Sequence, residues 1–300
     1  MKSKLTIPKN EISEALVGFK KAFRNVGVFS AVINMLMLMP ALYMLQLYDS
    51  VLTSRNEMTL LMLTLIMLGA YIFMAALEFV RSFVLIRVGA KLDLELNKRV
   101  YTAAFEQSLK QGDGNAGQAL QDLTNIRQFL TGNAPFAFFD APWFPVYILV
   151  IFLFHPILGV FALCGTIILI VLAFINEKIS HKPLAEASSM AVASNSLATN
   201  NLRNAEVIEA MGMLQNLQAR WYELHSKFLS LQADASEKAG IINACTKFTA
   251  VSLQSLMLGL GALLVLDDSI SPGMMIAGSI LLGKAIGPVQ QLIGAWKQFG

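Results

Sequence analysis

The stretch Gly132–Asn176 reads GNAPFAFFDAPWFPVYILVIFLFHPILGVFALCGTIILIVLAFIN, and it holds a single formal charge, Asp140. A membrane-crossing helix needs about 20 mostly apolar residues. The stretch is therefore long enough for two crossings, of about 22 residues each. His155-Pro156 sits at its midpoint, and the residue before a proline is biased away from helix. The expectation is a tight helical hairpin with these two residues at its tip.

Working outward, Val26–Tyr48 and Met58–Leu77 are free of charges, Phe248–Leu266 is nearly as long, and Pro272–Trp296 carries only Lys284. With the hairpin, the chain is read as six spans at about 26–48, 58–80, 134–154, 157–177, 245–266 and 272–296. Composition agrees: 55% of the 300 residues are hydrophobic and 14% charged, against roughly 25% charged in soluble domains. Mean hydropathy is +0.58. With three histidines and two cysteines, metal chemistry has little to stand on. Cys164 and Cys245 read as small buried hydrophobes. Before the first span, Ile12, Leu16, Phe19 and Phe23 share a face of Asn10–Phe23. This predicts an amphipathic elbow helix on the membrane surface within the cytoplasmic segment 1–25.

Lysine and arginine placement gives the orientation. Twenty of them lie before span one or in the connections 81–133 and 178–244 and their flanks, against Arg55 alone on the other side. Both ends of the chain are therefore expected in the cytoplasm. The outer connections are short, whereas the two inner ones look like helical extensions. Val88, Leu92, Leu96, Val100 and Ala104 recur every four residues, and no proline interrupts Met58–Leu109. A helix of that length reaches about 78 Å, far beyond an approximately 30 Å hydrocarbon core. Glycines in QGDGNAG (Gln111–Gly117) break it, Pro183 allows a kink in the second extension, and Gly212 is a plausible break at its far end.

Individual side chains sharpen the picture. Lys284 is a charge at mid-span, which usually faces a cavity or a partner. It leads the translocation-path candidates, followed by Asn34, Gln254 and Gln290. Glu78 and Arg81 stand three apart, close enough to pair on a helix. Pro40, Pro142, Pro145 and Pro288 can bend spans. GSILLGKA (Gly278–Ala285) nearly spells a phosphate-binding loop, but Ala285 replaces the Mg²⁺-ligating hydroxyl and the run is apolar and helical. Close helix packing explains its glycines better.

An elbow helix, six spans and two drawn-out inner extensions match the membrane domain of an ABC exporter. DAPWFPVYILVIFLFHPILG (Asp140–Gly159), EAMGM (Glu209–Met213) followed by Arg220-Trp221, and GMMIAGSILLGKAIGPVQQLIGAWKQF (Gly273–Phe299) resemble the type I secretion permease/ATPase family, the PrtD/AprD/HasD-like branch. The resemblance covers essentially the whole chain. It implies an all-α type I exporter fold, a homodimer, a periplasmic adaptor (membrane fusion) protein, a TolC-like outer-membrane channel and an unfolded secreted substrate, with no nucleic acid. It places the protein in the bacterial inner membrane. It also implies coupling to an ATPase domain through Gly114, Asn115, Gly117 and Gln118, and through Glu209, Ala210, Met211, Gly212 and Met213.

ATP and Mg²⁺ would be bound by that nucleotide-binding domain, not by these residues, and no cofactor is expected here. Trp296-Lys297-Gln298-Phe299 looks like mid-helix, so a chain continuing past Gly300 is favoured over an ATPase on a separate polypeptide. The alternatives to protein export are a lipid or drug exporter domain of the same fold, and a standalone six-helix channel or scaffold.

Overall fold

A computed structural model describes residues 19–111, 116–132 and 134–296, and among them every regular element is a helix. In chain order these are α1 (Lys20–Leu36), α2 (Met39–Gln46), α3 (Leu52–Ser54), α4 (Glu57–Gln111), α5 (Ala116–Thr131), α6 (Ala134–Asp140), α7 (Phe144–Phe154), α8 (Pro156–Arg203), α9 (Ala205–Ala210), α10 (Leu214–Leu266) and α11 (Pro272–Trp296). A π-helical turn, Leu47–Val51, joins α2 to α3, and a 3-10 turn, Ala141–Trp143, joins α6 to α7.

Among the described residues, five helical segments are long and apolar enough to cross a bilayer: Lys20–Ser54, Glu57–Glu106, Ala134–Phe154, Pro156–Arg203 and Leu214–Leu266. The 25-residue α11 packs among them. The hairpin expected at His155-Pro156 is present. His155 leaves the helical region at φ −161°, ψ 135°, and its Nδ1 accepts the Ile157 amide at 3.3 Å. Pro156 then occupies the first position of α8, where its missing N–H costs nothing. Pro183 lies inside the continuous α8, so the permitted kink does not break that helix. The uninterrupted run after Met58 becomes α4, 55 residues long, or about 83 Å.

The first apolar run is an interrupted helix. Its helix begins at Lys20, is interrupted at Met37-Leu38 ahead of Pro40, and ends in the π-helical turn. Most of the elbow segment Asn10–Phe23 lies outside the described residues. Its last part packs on protein: Phe19 is 7% exposed against Val88 and Leu92 of α4, with Phe23 alongside.

The main core gathers around α11. Leu281, Leu282 and Ala285 are fully buried with Tyr147 and Ile151 of α7, Leu158 and Leu169 of α8, and Met257 of α10. Thus GSILLGKA is interior helix, with neither a strand nor a loop, and it cannot curl amides around phosphate. A Cβ added at Gly278 or Gly283 would meet Met257 or Gln254 at ordinary contact distance, so the packing at these two positions does not itself demand glycine. The cysteines correct their expectation: Cys164 and Cys245 both lie on exposed helix faces. An apolar side chain on a bilayer-facing surface loses nothing by exposure, so burial in a protein core is not required of it.

Candidate functional site

Apolar surface supplies little force between helices in lipid, so packing and interhelical hydrogen bonds hold such folds together. Two polar nodes do this here. In the first, Arg81 of α4 donates from Nη1 to Asp140 Oδ1 at 3.1 Å and to Ser30 Oγ at 2.9 Å. Asn34 of α1 donates from Nδ2 to the same carboxylate oxygen at 2.8 Å, and the Tyr147 hydroxyl donates to Asn34 Oδ1 at 2.8 Å. The Phe136 ring lies 4.2 Å from the guanidinium carbon. Both charged side chains are under a tenth exposed.

One carboxylate thus ties α1, α4 and the α6–α7 turn. Arg81 does not pair with Glu78, which points to exposed surface. A buried guanidinium needs a buried counter-charge, and only the tertiary fold brings Asp140 to it.

The second node lies at the opposite end of α1–α3. Asp49, in the π-helical turn, accepts from Ser271 Oγ at 2.6 Å and from the Gly273 amide at 3.0 Å. Ser271 Oγ in turn accepts the Met274 amide at 3.1 Å. Two amides of the first turn of α11 are satisfied, with a carboxylate at the positive end of the helix. A side chain at position 273 would collide with Asp49 and the Leu45 carbonyl, so glycine is required there. Sequence reading missed this node, although Ser-Pro before an apolar run is a recognisable helix start.

The described residues expected to couple to an ATPase domain fall at helix ends and belong to neither node. Gly114 and Asn115 lie outside the described residues, while Gly117 and Gln118 stand in the first turn of α5. Glu209 and Ala210 end α9, and Met211, Gly212 and Met213 form the exposed turn between it and α10. Gly212 adopts φ +65°. Its amide bonds to the Glu209 carbonyl at 3.0 Å, and the Met213 amide to Ile208 at 3.0 Å. This is a Schellman ending, and it fixes a sharp reversal with apolar side chains such as Met211 projecting outward, 66% exposed.

Of the path candidates, Gln254 of α10 lies beside Gly283, the neighbour of Lys284 on α11. Asn34 is 1% exposed and fully engaged in the first node. Lys284 is half-buried on α11, and among the described residues no carboxylate pairs with it. Gln254 and Gln290 are exposed.

Long apolar helices, buried polar ties between them and a helix arm ending in the exposed turn at Gly212 are the marks of a multi-pass membrane domain. The profile of the ABC transporter transmembrane region matches residues 23–289, and the chain belongs to that family. It is 40% identical over 286 residues to the type I secretion system ATP-binding protein PrsD of Rhizobium meliloti, covering 94% of this chain and 49% of that protein. It is 23% identical to the leukotoxin translocation ATP-binding protein LktB of Mannheimia haemolytica, covering 95% and 41%. It is 24% identical to the cyclolysin secretion/processing ATP-binding protein CyaB of Bordetella pertussis, with the same coverage. The chain spans about half the length of the curated relatives it matches.

Proposed function

We propose that this chain is the permease part of an ATP-driven type I secretion exporter, moving unfolded proteins with C-terminal signals across the bacterial inner membrane. One observation carries the reading. The α4–α5 and α8–α10 arms extend far past any hydrocarbon core, and the second ends in a stiff, exposed, partly apolar turn at Gly212. Such an arm serves to transmit force from a domain beneath the membrane. The names of the relatives at 40% and 23–24% identity supply the class of cargo.

In this reading α11 is the sixth span and both chain ends face the cytoplasm. Two copies form the path, with Lys284, Gln254 and Gln290 as its polar wall. An ATPase domain contacts Gly117 and Gln118 at the tip of one arm and Glu209–Met213 at the tip of the other, and binds ATP and Mg²⁺. A periplasmic adaptor and a TolC-like channel complete the route. The test is reconstruction in cells. The full-length protein is expressed with the adaptor, the channel and a candidate substrate encoded nearby, and substrate is assayed in the medium. ATP-dependent appearance of substrate is expected. Retention in the cell, together with hydrolysis stimulated by lipid or hydrophobic dye, would overturn the reading.

A further inference from the structure

The seam between α10 and α11 is closed at one end and open at the other. Gly261 of α10 sits against Met275, where a Cβ would come within 2.7 Å of a side-chain carbon. Further along, Gly283 of α11 sits against Gln254, where a Cβ would lie 3.4 Å from Nε2. The Ser279 hydroxyl also reaches the Gln254 carbonyl, at 3.5 Å. One turn on, a Cβ added at Gly287 would meet nothing within 4 Å.

Residues seven apart return to nearly the same helix face after two turns. Gln290 thus shares the face of Gly283 that touches α10, and Lys247 shares the face of Gln254 that touches α11. Both side chains are exposed. The helices therefore part beyond Gln254, toward the end from which the α10 arm extends. Lys247 stands on one wall of the resulting crevice, Gln290 on the other, and Gln254 at the apex. Lys284 follows Gly283 at the edge of the same face and is half-buried, as are Ile280 and Gly287 a turn to either side. The core residues Leu281, Leu282, Ala285 and Ile286 take the rest of α11.

Among the described residues no carboxylate pairs with Lys247 or Lys284. A cation within an apolar span is costly and calls for an anion or water. The glutamine amides both donate and accept hydrogen bonds, which suits the unpaired N–H and C=O groups of an extended chain. We infer that this crevice holds acidic stretches of the polypeptide in transit. Lys247 and Lys284 meet its aspartate and glutamate side chains, and Gln254 and Gln290 meet its main chain. The inference rests on the export reading and adds to it the sign of the cargo's charge.

The test uses the full-length protein in neutral detergent at about 0.15 M salt, where distant surface charges are largely screened. A fluorescent unstructured peptide of Asp, Gly and Ser is titrated against its Asn counterpart, and binding is read by anisotropy. The aspartyl peptide is expected to bind more tightly, with about a fivefold loss of affinity in each of K247Q and K284Q. K247Q/K284Q should no longer distinguish the two peptides, and K247R/K284R should still do so. K247E/K284E should prefer a lysyl peptide, a reversal that general damage to the fold would not produce. K178Q, which removes an exposed lysine of α8, should bind as the unsubstituted protein does. Equal affinity of the unsubstituted protein for both peptides, discrimination that survives in K247Q/K284Q, or an equal loss in K178Q would each overturn the inference. Binding is measured without export, so charge selectivity that persists in a protein unable to secrete would sink only the export reading.

Discussion

Arg81 and Asp140 meet at 3.1 Å across 59 residues of sequence, inside a contact that leaves both under a tenth exposed. Removing one partner strands the other as a buried charge, at a cost of about 3–5 kcal/mol. Asp140→Asn and Arg81→Met should each lower the unfolding midpoint of the full-length protein strongly. The double variant R81M/D140L should recover most of the loss. A double-mutant cycle in detergent checks this, and additive losses would show that the two charges do not act together.

The Asp49–Ser271 tie should behave as a helix cap with a reach of two elements. Asp49→Asn and Ser271→Ala are expected to cost about 1 kcal/mol each. Amide exchange at Gly273 and Met274 should quicken in both variants while the middle of α11 is unaffected. Unchanged exchange at those two amides would remove the capping role.

Gly212→Val should tell coupling from folding. At φ +65° a side chain costs roughly 1–2 kcal/mol, in a turn that is otherwise exposed. Global stability should therefore change little. Substrate secretion should fall several-fold while basal ATP hydrolysis by the full-length protein persists. Gly212→Asn, which tolerates this conformation, should retain more secretion than valine.

Lys284→Met probes the polar wall proposed for the path. The charge costs about 2.5–3.5 kcal/mol at mid-span on insertion scales, so its removal should not destabilise the helix. The variant should reach the membrane in normal amounts and export less substrate. Secretion at the unsubstituted level would exclude Lys284 from the path.

The parts of this molecule legible in its sequence are those governed by neighbours along the chain. Charge-free runs mark apolar helices because every backbone polar group must be satisfied within the segment in lipid. His155-Pro156 marked a turn and Gly212 a helix end, since both act through local backbone geometry. The i, i+3 spacing of Glu78 and Arg81 suggested a partner that the fold does not use. Asp140 competes better because it arrives from another helix in a buried setting, and no spacing rule reports that. Asp49 was overlooked for the same reason: its partners Ser271 and Gly273 are brought near only when α2 meets α11. Of the coupling residues, those at the α9–α10 turn carried a visible helix stop.

The length of α4 has a mechanical corollary. With about 30 Å of its roughly 83 Å in hydrocarbon, some 50 Å remains as an outboard boom. A tilt of about 5° at the bilayer then becomes a sweep of about 4 Å at the Gln111 end, and the reverse holds for a push applied there. Under the proposed coupling to an ATPase domain, the helix acts as reduction gearing: coarse strokes delivered at the Gln111 end arrive among the spans as fine adjustments of angle.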